Sequence, residues 1–130
     1  MNQYIRLLYS SLLGIFAGFL GGLLGISGTI IMLPLLTLFN IFQSYKTAIG
    51  TVLFSFEPFG SIFALIQYAT QNKIDYVIGI SIVFSYMLGS YIGAKYNTLF
   101  DEKTIKYITA LILFILSMYM FYNAYNINTY

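Results

Sequence analysis

One acidic side chain stands deep in an apolar stretch of this sequence: Glu57, in Val52-Leu-Phe-Ser-Phe-Glu-Pro-Phe-Gly-Ser61. Burial disfavours the ionised form of a carboxyl and raises its pKa. Pro58 removes a backbone donor beside it and frees a carbonyl for a ligand, a water or the acid itself. Glu57 is therefore a candidate for exchanging a proton. The other reading is a neutral Glu57 that hydrogen-bonds one helix to another. A second candidate is Gly25-Ile26-Ser27-Gly28-Thr29. A helix that restarts after such an interruption presents free N–H groups and the positive end of its dipole. Ser27 and Thr29 add hydroxyls. Such a place can hold an anion without any lysine or arginine, and no basic residue lies deep in an apolar segment. A kink that only aids packing is the alternative. A third, weaker feature is Ala48-Ile49-Gly50-Thr51, a helix start or kink with a threonine that bonds backbone or ligand.

The sequence contains no cysteine and no histidine. Disulfides, thiolate metal sites, His-ligated haem, cysteine nucleophiles and Ser–His pairs are excluded. One buried acid offers little general acid–base chemistry. No enzyme activity, no metal and no cofactor is expected.

These residues must be positioned by membrane elements. Of 130 residues, 59% are hydrophobic and 8% charged, against about 25% charged in an ordinary soluble domain. Mean hydropathy is +0.82. The reading is an all-α, multi-pass integral membrane protein, most naturally of the cell or plasma membrane, with lipid as its surroundings. A spanning helix needs about 20 apolar residues, so the length allows four or five elements and no soluble catalytic domain. A net charge of +2, scattered along the chain, argues against nucleic acid as a partner.

The charges divide the chain into apolar segments at 7–42, 47–70, 76–94 and 105–123. Their joints are short and polar, which predicts antiparallel neighbours in one compact bundle over 1–130. Tyr45 and Tyr68, Tyr76 and Tyr96, and Tyr107 and Tyr122 bracket the last three segments, as interfacial aromatics do. Residues 1–24 do not resemble a cleaved leader, because the apolar run continues past any plausible cleavage site. Segment 7–42 would be about 54 Å long as a straight helix, too long for a hydrocarbon core of about 30 Å. It is expected to break near 25–28, with a longer helical piece before Gly25 and a shorter one after Gly28. Pro34 follows the break. Gly14, Gly18 and Gly22 recur every fourth residue, as do Gly89 and Gly93. They predict close helix packing, in the same subunit or another.

The stretch Gly18-Phe-Leu-Gly-Gly-Leu-Leu-Gly-Ile-Ser-Gly-Thr-Ile-Ile-Met-Leu-Pro34 resembles the glycine-rich signature of the TauE/SafE sulfite exporter family. Ala48-Ile-Gly-Thr51, followed by Pro58, is similar to that family's A-x-G-T and later proline. Asn72-Lys-Ile-Asp-Tyr76 and Gly89-Ser-Tyr-Ile-Gly-Ala-Lys95 extend the likeness to about residues 12–120. The resemblance implies a transporter subunit for a small sulfur-containing or related organic anion, of sulfite or organosulfonate type. It points to Gly25, Ser27, Gly28, Pro34, Gly50, Thr51 and Pro58 as substrate-site residues, beside Thr29 from the break itself. Ser27 replaces a glycine of the signature, Val52 replaces a frequent serine, and Glu57 lies outside the pattern. Most members carry two such halves in one chain, so the resemblance implies a homodimer with the site between subunits. A non-transporting accessory membrane subunit is the alternative. Orientation depends on segment 7–42: basic residues split five to one between the two sides if it returns to its starting side, four to two if it crosses once.

Overall fold

The computed structural model describes residues 2–127. Among these residues there are six helices and no strand: α1 (Gln3–Leu24), α2 (Gly28–Leu38), α3 (Tyr45–Phe56), α4 (Ile62–Thr70), α5 (Tyr76–Asn97) and α6 (Glu102–Ile127). α1, α5 and α6 are long and apolar enough to cross a membrane. α2, α3 and α4 have 11, 12 and 9 residues, well short of the roughly 20 that a span needs.

The dominant contact is between α1 and α5, and it is parallel. Near the start of both helices, Arg6 Nη2 lies 3.3 Å from Asp75 Oδ2. At their far ends, Asn97 Nδ2 donates to the Leu23 carbonyl at 2.6 Å. Glycine makes this approach possible. A Cβ on Gly18 would strike the Tyr86 carbonyl, and one on Gly22 the Ser90 carbonyl. From the other side, a Cβ on Gly89 or Gly93 would strike the Ile15 or Phe19 carbonyl. Both glycine ridges therefore face each other within one chain. With so little side chain between them, the two backbones come into direct van der Waals contact.

Because α1 and α5 run the same way, the chain must return between them. α2 makes the return: Arg6 Nε donates to the Ile41 carbonyl just beyond it at 2.8 Å. Its buried Ile31, Met32 and Leu36 form a core with Ala17 of α1, Val52 of α3 and Ile82 of α5. α3 and α4 then form a hairpin whose two ends lie at the Arg6 side. Gly50 of α3 packs on the Tyr68 side chain of α4 and on the Lys73 carbonyl. Asp75 caps α5 by accepting from the Ile78 N–H at 3.1 Å. α6 runs antiparallel to α1: its first turns line a cleft with Leu24 and Asn97, its last ones a cleft with Leu36 and Ala48. Thr104 donates its hydroxyl at 2.6 Å and its N–H at 3.3 Å to Asp101, which precedes α6. The hydroxyl bond first, then the amide, holds the Asp101 carboxyl below the ordinary carboxylate range.

Four expectations are corrected. Stretch 47–70 is two helices rather than one segment, because Pro58 and Gly60 interrupt it. Consequently Tyr45 and Tyr68 lie at the same end of the fold and do not bracket a crossing. Neighbours are not all antiparallel, since α1 and α5 pack in parallel. The basic residues also divide differently. Arg6, Lys46 and Lys73 lie at one end and Lys95, Lys103 and Lys106 at the other, so neither a five-to-one nor a four-to-two split holds and this charge rule sets no orientation.

Gly89→Val should lower the unfolding temperature of the detergent-purified protein markedly, with a loss of about 1–3 kcal/mol or more for overpacking. Gly60→Ala should stay within about 0.5 kcal/mol of the parent, because nothing lies within 4 Å of its added Cβ. Equal behaviour of the two variants would contradict the glycine contact.

Candidate functional site

The first interruption is built by Gly25, whose φ of 70° and ψ of 25° end α1 in the left-handed conformation that glycine adopts at little cost. Its N–H closes on the Gly21 carbonyl at 2.9 Å. Ile26 and Ser27 carry the chain across, and α2 begins at Gly28. The Ser27 side chain makes no capping hydrogen bond, so the first amides of α2 lack the side-chain partner that a helix start usually has. Gly28 is glycine for a steric reason: a Cβ there would press on the rings of Phe56 and Tyr86.

The second interruption follows α3. Glu57 has φ −131° and ψ 45° and closes its N–H on the Leu53 carbonyl at 2.9 Å. Pro58 biases the residue before it away from helical conformation, and the chain turns through Phe59 and Gly60. Ser61 then donates its N–H to the Glu57 carbonyl at 3.0 Å, and α4 starts.

The two interruptions meet. Thr29 Oγ1, in the first turn of α2, donates to Glu57 Oε1 at 3.3 Å. Ser61 Oγ, at the start of α4, donates to Glu57 Oε2 at 3.1 Å. The carboxylate therefore bridges the N-termini of two helices, where both dipoles favour negative charge. Tyr86 fixes the depth of this meeting point. It stands at the midpoint of α5 (Tyr76–Asn97), and its ring meets Phe56 edge-on with centroids 4.6 Å apart. Relative to the spanning helices, the start of α2 at Gly28 and the turn after α3 lie near half depth, while Gly25 lies close to the far ends of α1 and α5, where Asn97 meets Leu23.

The expected burial of Glu57 is not found: its side chain is exposed on this chain, as are Pro58, Ser27 and Gly25. The reason is local. α3 ends at Phe56, and Glu57 caps it at the proline turn, off the line of the buried Ala48, Thr51, Val52 and Ser55. Of the residues singled out in the sequence, the structure brings Thr29 to Glu57, with Gly28 and Pro58 adjoining them in the chain; Gly25 and Ser27 lead into the start of α2. Three others lie elsewhere. Pro34 is buried inside α2, which continues past it. Gly50 packs on α4. Thr51 is 0% exposed, and its Oγ1 accepts the Asp75 N–H at 2.8 Å. It pins the start of α5 to α3. Ser61 and Tyr86 escaped the sequence reading. Ser61 had a signal, since Glu57-Pro58-Phe59-Gly60 reads as a turn and the serine after a turn is a helix-start residue. Tyr86 had none.

The absence of native cysteine permits a direct check. Ser27→Cys should react readily with a water-borne maleimide in native membranes, and Thr51→Cys should be protected at least tenfold. Equal labelling would contradict this geometry.

Comparison with known proteins places the chain. Residues 5–128 match the sulfite exporter TauE/SafE family. The "Probable membrane transporter protein YdhB" of Bacillus subtilis is 31% identical over 107 residues, covering 82% of this chain and 41% of that protein. The "Probable membrane transporter protein MJ0441" of Methanocaldococcus jannaschii is 28% identical over 120 residues, covering 84% of this chain and 43% of its own length. A second Bacillus subtilis protein, "Probable membrane transporter protein YunE", is 31% identical over 105 residues, 81% of this chain and 38% of that one. The chain thus spans about two fifths of the length of the curated relatives it matches. No solved structure matches it. With a family match over almost its whole length and three long apolar helices, the chain belongs to the TauE/SafE sulfite exporter family and is an integral, multi-pass membrane protein.

Proposed function

We propose that this chain is one subunit of a homodimeric membrane transporter for a small sulfur-containing or related organic anion, of sulfite or organosulfonate type. The observation that carries this reading is the meeting of two helix N-termini at half depth around a single carboxylate, Glu57. Discontinuous helices near the bilayer midplane are a recurring way to build transporter sites. The family to which the chain belongs and the names of its relatives support transport.

In this mechanism a substrate anion takes the place that the Glu57 carboxylate holds. It accepts from the Thr29 hydroxyl and the first amides of α2, with Gly25, Ser27 and Gly28 leaving room around it. Pro34, Gly50, Thr51 and Pro58 shape the helices that frame this place. Two negative charges at such close range repel strongly. Anion entry is therefore favoured when Glu57 is protonated or has moved aside. This links one proton to one anion without any basic side chain. The two halves of the site alternate between the two sides of the membrane as the interrupted helices move.

The test uses purified protein in liposomes, radiolabelled sulfite or taurine, and an imposed pH gradient. The parent should take up anion in a pH-dependent manner, and Glu57→Gln should transport with at least a tenfold weaker pH dependence. Full pH dependence in Glu57→Gln would leave Glu57 as a structural bridge. Absence of uptake for every small anion tried, under any gradient, would overturn the transport reading.

A further inference from the structure

We infer that a second copy of this chain seats against α4 and the Glu57–Ser61 turn, and that the site is incomplete without it. The inference rests on the homodimer reading above and adds the face.

α4 has no buried residue and packs chiefly on α3. Phe59 and Phe63 beside the turn are 90% and 84% exposed. Apolar exposure alone would mean little in a membrane protein, because lipid covers it. The backbone decides the matter. A helix of nine residues is about 14 Å long, so its N-terminus and the turn before it stay at half depth, next to Phe56 and Tyr86. Non-helical backbone and free helix ends at that depth are tolerated only against protein or a water-filled cavity. Lipid chains offer neither donors nor acceptors to the Pro58–Gly60 backbone. Here α6 is the useful contrast. No residue in its membrane-spanning window is buried either, but it is one continuous helix with its backbone bonded internally, and lipid suffices for it.

The occupant follows from the family. Each relative is more than twice as long as the stretch this chain matches, so each has room for a second unit of this size. Under the homodimer reading, the equivalent cover is another copy. A two-fold pair buries the same patch on both subunits. One contact then covers both Glu57–Ser61 turns and walls each site on the side that its own chain leaves open.

Single cysteines in this cysteine-free chain locate the interface. Phe63→Cys and Ile66→Cys lie on one face of α4, and Phe114→Cys on α6 is the comparison. Membranes holding each variant are oxidised with copper phenanthroline, and the parent is weighed by native mass spectrometry from nanodiscs. The expected result is a dimeric parent, with a disulfide-linked dimer from Phe63→Cys or Ile66→Cys and at least a fivefold smaller yield from Phe114→Cys. A dimeric parent that cross-links only through Phe114→Cys, or through none of the three, would overturn the assignment of the face and leave the homodimer standing. A monomeric parent would overturn the homodimer, and this inference with it.

Discussion

The architecture depends on two parallel helices in backbone contact. Glycine at 18 and 22 of α1 and at 89 and 93 of α5 leaves each helix resting on the carbonyls of the other. The ends are fixed by Arg6 with Asp75 and by Asn97 with the Leu23 carbonyl. Parallel neighbours cannot be joined by a short turn. Residues 25–75 bring the chain back through α2 and then add the α3–α4 hairpin, in helices of 11, 12 and 9 residues. One straight span of about 20 residues would cross the membrane with its ends at the two surfaces. Three short pieces leave ends inside. The interruptions near Tyr86 are thus a consequence of how the spanning pair is packed, and the candidate site follows from the fold.

Electrostatics at those ends is unusual for a proposed anion site. No lysine or arginine is near, and all six basic residues lie at the two ends of the bundle. What favours negative charge is the pair of N-termini of α2 and α4, with the Thr29 and Ser61 hydroxyls as donors. Glu57 occupies the place in this structure. A tethered carboxylate that fits where a free anion is proposed to bind gives a direct physical route to coupling, since the two compete for the same donors. A site held by arginine would keep its anion regardless of proton supply.

Much of this was legible in the sequence, and the reasons are specific. Composition alone sets the membrane class. The break at Gly25–Ser27 was legible because an apolar run of that length cannot be one straight span, and glycine marks the place to stop. The glycine ridges signalled close packing, but spacing carries no partner identity, so their meeting within one chain needed coordinates. The second break was missed although Pro58 and Gly60 announced it, because the run around them is apolar throughout and its length suits one full crossing. That error propagated into the five-to-one count, where it set Lys73 apart from Arg6; the four-to-two count fails instead at Lys46, because 7–42 returns to its starting side. Glu57 was expected to be buried because its neighbours in sequence are apolar. A proline turn directs a side chain out of its helix face, and hydrophobic neighbours do not report that. Thr51 sits beside the right motif, yet it serves Asp75.

The central claim is that the first amides of α2 take up the anion, in place of the cationic side chains the site lacks. Solid-state NMR of the ¹⁵N-labelled protein in lipid, with and without sulfite, reads this most directly. The account predicts that the Gly28 and Thr29 amide resonances move on addition of sulfite, saturably, while the side-chain amines of Lys46, Lys73 and Lys95 stay where they are. Unmoved Gly28 and Thr29 amides, with sulfite-dependent shifts at the lysines instead, would contradict it.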